Sequence, residues 1–217
     1  MEISMQGNTR NENTQRAKRS LVVLGIMSIV MLFAGLTSGY IVRQGEGKWA
    51  EFALPNTFIY STIIIVLSSL PMQWALISIR RNNVKNLISG LALSGILGFA
   101  FIFTQYLAWS ELFQSGIAFT GRIRDVTTNF NYIPAGVETV EQAGDAGNVA
   151  GSFLYVITGL HVVHLLAGII ALFIVFSRAI RQKYSSADYN GVKMCTIYWH
   201  FLSGLWLYLF FFLLYIR

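Results

Sequence analysis

Five separate stretches of this sequence are long and apolar enough to cross a lipid bilayer, and no other feature constrains the fold as hard. They run over about Leu21–Val42, Asn56–Ile79, Leu87–Glu111, Ala150–Ser177 and Met194–Ile216. A hydrocarbon core about 30 Å thick needs roughly 20 helical residues at 1.5 Å each. None of the stretches alternates with a period of two, which excludes a transmembrane β-barrel. The expected fold is all-α: an integral membrane bundle of five transmembrane helices. Residues 21–217 form its membrane domain behind a polar segment, 1–20. The apolar run after that segment exceeds the h-region of a secretory signal, so it reads as a retained signal anchor.

Composition agrees with lipid as the solvent. The chain is 54% hydrophobic and 12% charged, where soluble domains carry about 25% charged residues. The formal charge of +6 does not imply nucleic acid, because the cations sit in short clusters between apolar runs. Arg10, Arg16, Lys18 and Arg19 precede the first run, Arg80, Arg81 and Lys85 follow the second, and Arg178, Arg181, Lys183 and Lys193 follow the fourth. The first connection balances Arg43 and Lys48 with Glu46 and Glu51. The third, about 112–149, sets Arg122 and Arg124 against Glu111, Asp125, Glu138, Glu141 and Asp145. The positive-inside rule then puts the N-terminus in the cytoplasm and the C-terminus outside. The 112–149 segment becomes an external loop, either a contact surface or an ordinary solvated connection.

Close packing in lipid relies on small residues. Candidates are Gly35 and Gly39 in the first span, Gly90, Ser94 and Gly98 in the third, and Gly151, Gly159 and Gly168 in the fourth. Pro71 is expected to kink the second span.

Polar residues inside the spans are few: Gln105, His161, His164 and His200, with hydroxyls at Ser68, Ser69, Thr158 and Ser203. No carboxylate lies deep in any span, which argues against a proton pump or ion-coupled transporter built from this chain alone. His161 and His164 are three residues apart, about 60° around one helix, and His200 is on the next. Two of them from different helices could ligate a b-type haem. Alternatively each imidazole makes interhelical hydrogen bonds or meets headgroups, and this is the preferred reading. A single cysteine, Cys195, allows neither an internal disulfide nor a multi-thiolate metal site. Tyr198, Trp199 and Tyr215 suit the headgroup levels, whereas Trp206, near mid-span, suits packing against a helix or subunit.

Two motifs carry a resemblance. GSFLYVITGLHVVHLLAG, from Gly151 to Gly168, and IYWHFLSGLWLYLF, from Ile197 to Phe210, resemble the last two helices of haem–copper oxidase subunit III. MLFAGLTSGYIVR, LPNTFIYSTIIIVLSS and the pair Gln105 and Trp109 resemble the three helices before them. Together they cover about residues 20–217 in the short, five-helix form of that family. The topology derived from charge is also the one the family's last five helices have.

The resemblance implies a non-catalytic subunit of a proton-pumping respiratory terminal oxidase of the bacterial cytoplasmic membrane, a cytochrome c oxidase reducing oxygen to water. It would brace subunit I, contact other oxidase subunits, hold phospholipid and support proton uptake. The haems and copper would belong to the partner subunits, leaving this chain without a cofactor, metal or active site of its own. Gln105, His161, His164, Trp199, His200 and Trp206 become structural or lipid contacts. Family members usually place glutamates at the positions of Ile29 and Ala108 and an aspartate at that of Ser203, so a carboxylate proton antenna is not expected here. Three rivals remain: the corresponding partner of a quinol oxidase or nitric oxide reductase, a small bis-His b-type cytochrome, and a small transporter.

Overall fold

The computed structural model describes residues 2–45, 49–52, 54–119, 133–134, 149–186 and 188–216. Of the loop charges read above, Glu46, Lys48, Arg122, Arg124, Asp125, Glu138, Glu141 and Asp145 lie outside the described residues. The helices are α1 (Glu2–Gly45), α2 (Thr57–Arg80), α3 (Val84–Gln114), α4 (Val149–Ile180) and α5 (Asn190–Tyr215). Each is long and apolar enough to cross a membrane. Most outrun the apolar stretches by a few residues, because backbone hydrogen bonding continues where hydrophobicity stops. Near Gly45, β1 (Ala50–Glu51) pairs antiparallel with β2 (Ile133–Pro134), Ala50 opposite Pro134. This short ribbon ties the first connection to the third and is the one departure from an all-helical fold among the described residues.

Local chemistry sets the reversals. At the end of α2, Asn82 takes φ of 56°, a left-handed conformation that asparagine tolerates. The Asn83 amide then donates to Ser78 O at 2.9 Å, while its side-chain oxygen caps α3 by accepting from the Asn86 amide at 3.1 Å. At the end of α4, Gln182 has φ of 52° and the Lys183 amide donates to Arg178 O at 3.0 Å. Both are Schellman-type stops.

α3 lies between α2 and α4, α5 contacts α2, α4 and α1, and α1 rests on α4 and α5. The small residues of α3 do what the spacing predicts. A Cβ on Gly90 would stand 2.8 Å from both Ala75 Cβ and Pro71 O, and one on Gly98 would stand 2.8 Å from the Trp199 ring. Gly168 of α4 is also tight, 3.1 Å from Leu202. The α1 expectation is corrected: nothing lies within 4 Å of a Cβ on Gly35, and Gly39 meets only Phe153 at 3.7 Å. Gly159 is equally open. Spacing marks which glycines share a face but not which face meets a neighbour. α2 runs as one helix through Pro71, whose carbonyl is part of the close approach to Gly90.

Candidate functional site

Three tryptophans fasten the helices by one repeated device. Trp206 Nε1 of α5 donates to Thr62 Oγ1 of α2 at 3.0 Å, and that hydroxyl donates to Phe58 O at 2.7 Å. Trp199 Nε1 donates to Ser68 Oγ at 3.0 Å, and Ser68 donates to Ile65 O. Trp109 Nε1 of α3 donates to Thr158 Oγ1 of α4 at 3.1 Å, and Thr158 donates to Leu154 O. Each hydroxyl accepts across the interface and spends its own proton on its own helix, so no donor is left over. In lipid, where an unmet polar group has no water to turn to, such closed bonds fix helix register.

Trp206 is the centre of this block. Its ring stacks with Phe58 at 6.3 Å and meets Phe101 edge-on at 4.9 Å and His161 at 5.0 Å. Trp199 is not the headgroup-level contact its place near the start of α5 suggested, for it is 1% exposed and packed inside. Its ring turns inward to α2, where Ser68 accepts the indole proton, so it has no face left for headgroups. Tyr215 is 79% exposed, as an interfacial tyrosine would be.

The three histidines face three different ways. His161 is fully buried with its ring edge-on to Phe101 at 5.8 Å. Neither of its nitrogens has a hydrogen-bond partner among the described residues, and neither polar atom of the buried Gln105 has one. Gln105 follows Phe101 by one turn of α3 and precedes Trp109 by one turn, so it opposes the stretch of α4 between Thr158 and His161. His164 turns to α1, with Nδ1 2.7 Å from Leu160 O and its ring 5.7 Å from Phe33. Tyr198 donates to His164 O at 3.3 Å. His200 points outward, its Nε2 3.3 Å from Gln73 Oε1 of α2. Among the described residues no three His, Cys, Asp or Glu side chains gather as a metal would require.

Ile29, Ala108 and Ser203, where the resemblance implied acids, are all buried. Ser203 Oγ donates to Trp199 O at 3.1 Å, a local bond in place of a charge.

The two ends of the bundle differ. At the basic end Arg80 lies 5.9 Å from the Tyr189 ring centroid. A pocket of about 200 Å³ there is lined by Arg16, Arg19, Asn190, Lys193, Met194 and Ile197. Burial raises the Tyr184 phenol above its ordinary value, and Arg178 opposes that shift. At the opposite end Thr57 Oγ1 donates to Glu111 at 2.6 Å, and Tyr155 donates to Ile117 O at 2.9 Å. Between α3 and α4 runs an apolar groove of about 390 Å³ walled by residues such as Ile96, Phe99, Ile170 and Phe173.

Sequence reasoning passed over Thr62, Gln73, Tyr40 and Trp49. Gln73 carried a signal, an amide within an apolar run. Trp49 lies outside every span, yet it is buried against Tyr40 with ring centroids 4.6 Å apart.

A family profile for cytochrome c oxidase subunit III matches residues 126–217, which include α4 and α5. The chain is 27% identical over 188 residues to cytochrome c oxidase subunit 3 of Corynebacterium diphtheriae, covering 83% of this chain and 79% of that one. It is 26% identical over 199 residues to the probable cytochrome c oxidase subunit 3 of Mycobacterium leprae, covering 90% and 86%. Cytochrome c oxidase subunit 3 of Thermostichus vulcanus is 25% identical over 200 residues, covering 87% and 84%. The chain belongs to the cytochrome c oxidase subunit III family. The stretch matched to the subunit III profile holds His161, His164, Trp199, His200 and Trp206, together with Thr158. All three staples of this subunit III homologue therefore have one partner inside that stretch.

Proposed function

We propose that the chain works as the non-catalytic subunit III of a proton-pumping terminal oxidase, bracing subunit I and holding phospholipid beside it while oxygen is reduced to water. The family match through α4 and α5 carries this reading. The stapled interior supports it, since side chains locked on each other suit a brace. His161, Trp199 and Trp206 are the packing residues, with Gln105 in the same layer; His164 packs on α1, and His200 faces outward. The groove between α3 and α4 suits acyl chains, and the Arg16, Arg19 and Lys193 pocket suits an anionic headgroup.

The cation clusters argue for an N-terminus in the cytoplasm, a C-terminus outside, and an external 112–149 loop free to meet other subunits. The identified relatives from Corynebacterium and Mycobacterium favour a bacterial cytoplasmic membrane.

Purification in mild detergent tests the reading. The expected outcome is recovery with a haem–copper subunit I. A monodisperse chain without partners would overturn it, as would a Soret band of the isolated chain that disappears in His200→Ala. Reporter fusions at the two termini test the orientation, and an N-terminal reporter active outside the cytoplasm would reverse it.

A further inference from the structure

The interior of the bundle holds two long polar side chains that the helix packing alone does not satisfy. Gln105 of α3 and His161 of α4 are fully buried, and none of their side-chain nitrogen and oxygen atoms has a hydrogen-bond partner among the described residues. Two contacts place them side by side. Phe101, one turn before Gln105, meets the His161 ring at 5.8 Å. Trp109, one turn after Gln105, donates to Thr158, three residues before His161. The Gln105 side chain therefore leaves α3 at the level where α4 runs from Thr158 to His161, yet amide and imidazole do not bond each other. An unmet buried group costs about 1–3 kcal/mol, and lipid supplies no solvent from outside to relieve it. The buried hydroxyls of the spans escape that cost. Ser61, Thr62, Ser68, Ser94 and Thr196 each donate to a carbonyl of their own helix, a local bond that Gln105 and His161 do not make.

The chemistry of the pair selects its ligand. An amide offers both donors and an acceptor, and an imidazole in its neutral form offers one of each. A molecule that bridges them has to donate to one and accept from the other. No lysine, arginine, aspartate or glutamate is buried among the described residues, so an ion placed here would have no countercharge. Phe101, Ala108 and Trp206 around the pair are fully buried as well, which restricts the ligand to a very small one. Ala108, three residues on from Gln105, contributes only a methyl to this layer and takes little of the space beside the amide. Water is the neutral molecule of that size that both donates and accepts, and buried waters ordinarily bind polar groups that the protein leaves unmet.

We propose that Gln105 and His161 hold an internal water between α3 and α4, beside the Trp206 ring. The site belongs to the bundle itself and stands apart from the subunit III reading. It joins α3 to α4 through a small exchangeable molecule, one turn from where Trp109 and Thr158 join them directly. One water meets only part of the amide, which has two donor hydrogens and a carbonyl, so an apolar residue at position 105 forfeits little by losing it.

Water-edited solid-state NMR of the full-length chain in lipid bilayers tests the site, with histidine rings and glutamine side chains isotope-labelled at nitrogen. The expected result is magnetisation passing from water protons to a ring nitrogen of His161 and to the Gln105 amide, although both side chains are fully buried. Gln105→Leu is expected to abolish the transfer to His161 while the ring signal itself stays in place. His161→Phe is expected to abolish the transfer to Gln105 in the same way. If His161→Phe does not fold, Gln105→Leu decides alone, since leucine at that position relieves a buried amide. Absence of transfer to either side chain in the unaltered chain overturns the proposal, because the pair is then dry. Transfer to His161 that persists in Gln105→Leu also overturns it, for the water is then held by other groups. A coupling measured directly between the amide and the imidazole does the same, by showing that the two side chains bond each other without a water.

Discussion

The block built from α2, α3, α4 and α5 and the single helix α1 are both apolar helical structure in the same solvent, yet they are held in different ways. Inside the block, three indole-to-hydroxyl bonds cross between helices, Gly90 lets the backbone of α2 approach, and Gly98 makes room for the Trp199 ring. α1 meets the block through Thr37, whose Oγ1 lies 3.2 Å from the Tyr208 hydroxyl. Aromatic contacts add to it: Phe33 on His164, and Tyr40 on Trp49, Phe153 and Phe212. Only 11% of its apolar span is buried, against 50% in α2 and in α5. Lipid supplies no hydrophobic drive between helices, so hydropathy inserts all five spans alike and the difference comes from small residues and closed polar bonds. The block specifies itself, whereas α1 leans on it.

Trp206→Ala is the largest way to break that contrast. It removes a fully buried ring touching Phe58, Phe101 and His161, and leaves Thr62 without its donor. The expected loss is about 3–5 kcal/mol, read by unfolding titration in mixed micelles. Next comes Gly90→Ala. The new methyl would need the Pro71 carbonyl and Ala75 to retreat, and backbone yields poorly, so a loss of about 1–3 kcal/mol is expected. Gly35→Ala, with open space around it, should change stability by less than about 0.5 kcal/mol. Equal effects at the two glycines would erase the distinction between block and lone helix.

Much of this was legible in the sequence, for reasons that can be named. The five spans follow from hydropathy because lipid tolerates few charges, and the α4 and α5 motifs identified the family before any coordinate. The mid-span place of Trp206 predicted its packing. Trp199 was misplaced because the headgroup rule takes no account of which way a ring turns about the helix axis, and this one turns to Ser68 of α2. Gly35–Gly39 and Gly90–Ser94–Gly98 share one spacing, yet a Cβ would crowd a neighbour at Gly90 and Gly98 and not at Gly35 or Gly39, because rotation about a helix axis is set by tertiary contacts. The spacing of His161 and His164 fixed their angular separation, but not that one would face Trp206 and the other Phe33. The pairing of Gln73 with His200 joins residues 127 apart in sequence, and no local pattern announces it.

Gln105→Leu sharpens the comparison from inside the block, with the opposite sign. Both polar atoms of this amide are buried without a partner among the described residues, and an unmet buried group costs about 1–3 kcal/mol. Leucine is similar in size and carries no such cost, so the variant should unfold about 1–2 kcal/mol later in the same titration. A loss of stability would mean that the amide is bonded in the assembled protein and belongs among the fasteners. The wild-type block, on this view, is tight despite its polar interior.

Thr37→Val is the smallest effect and the most selective for α1. The threonine hydroxyl already donates to Phe33 O at 2.9 Å within its own helix, so its link to Tyr208 is a second use of one oxygen. Hydrogen bonds between membrane helices average about 0.6 kcal/mol, which sets the expected loss in global stability. The local consequence should be larger than that figure conveys, because valine removes the hydroxyl by which α1 meets Tyr208 of α5. A spin label on α1 at Ile41, which is exposed, should therefore broaden its distance distribution to α3 in Thr37→Val, while a label pair within the block keeps its width. If both distributions stay unchanged, the aromatic contacts of Phe33 and Tyr40 suffice to fix α1, and the lone helix is as well specified as the rest.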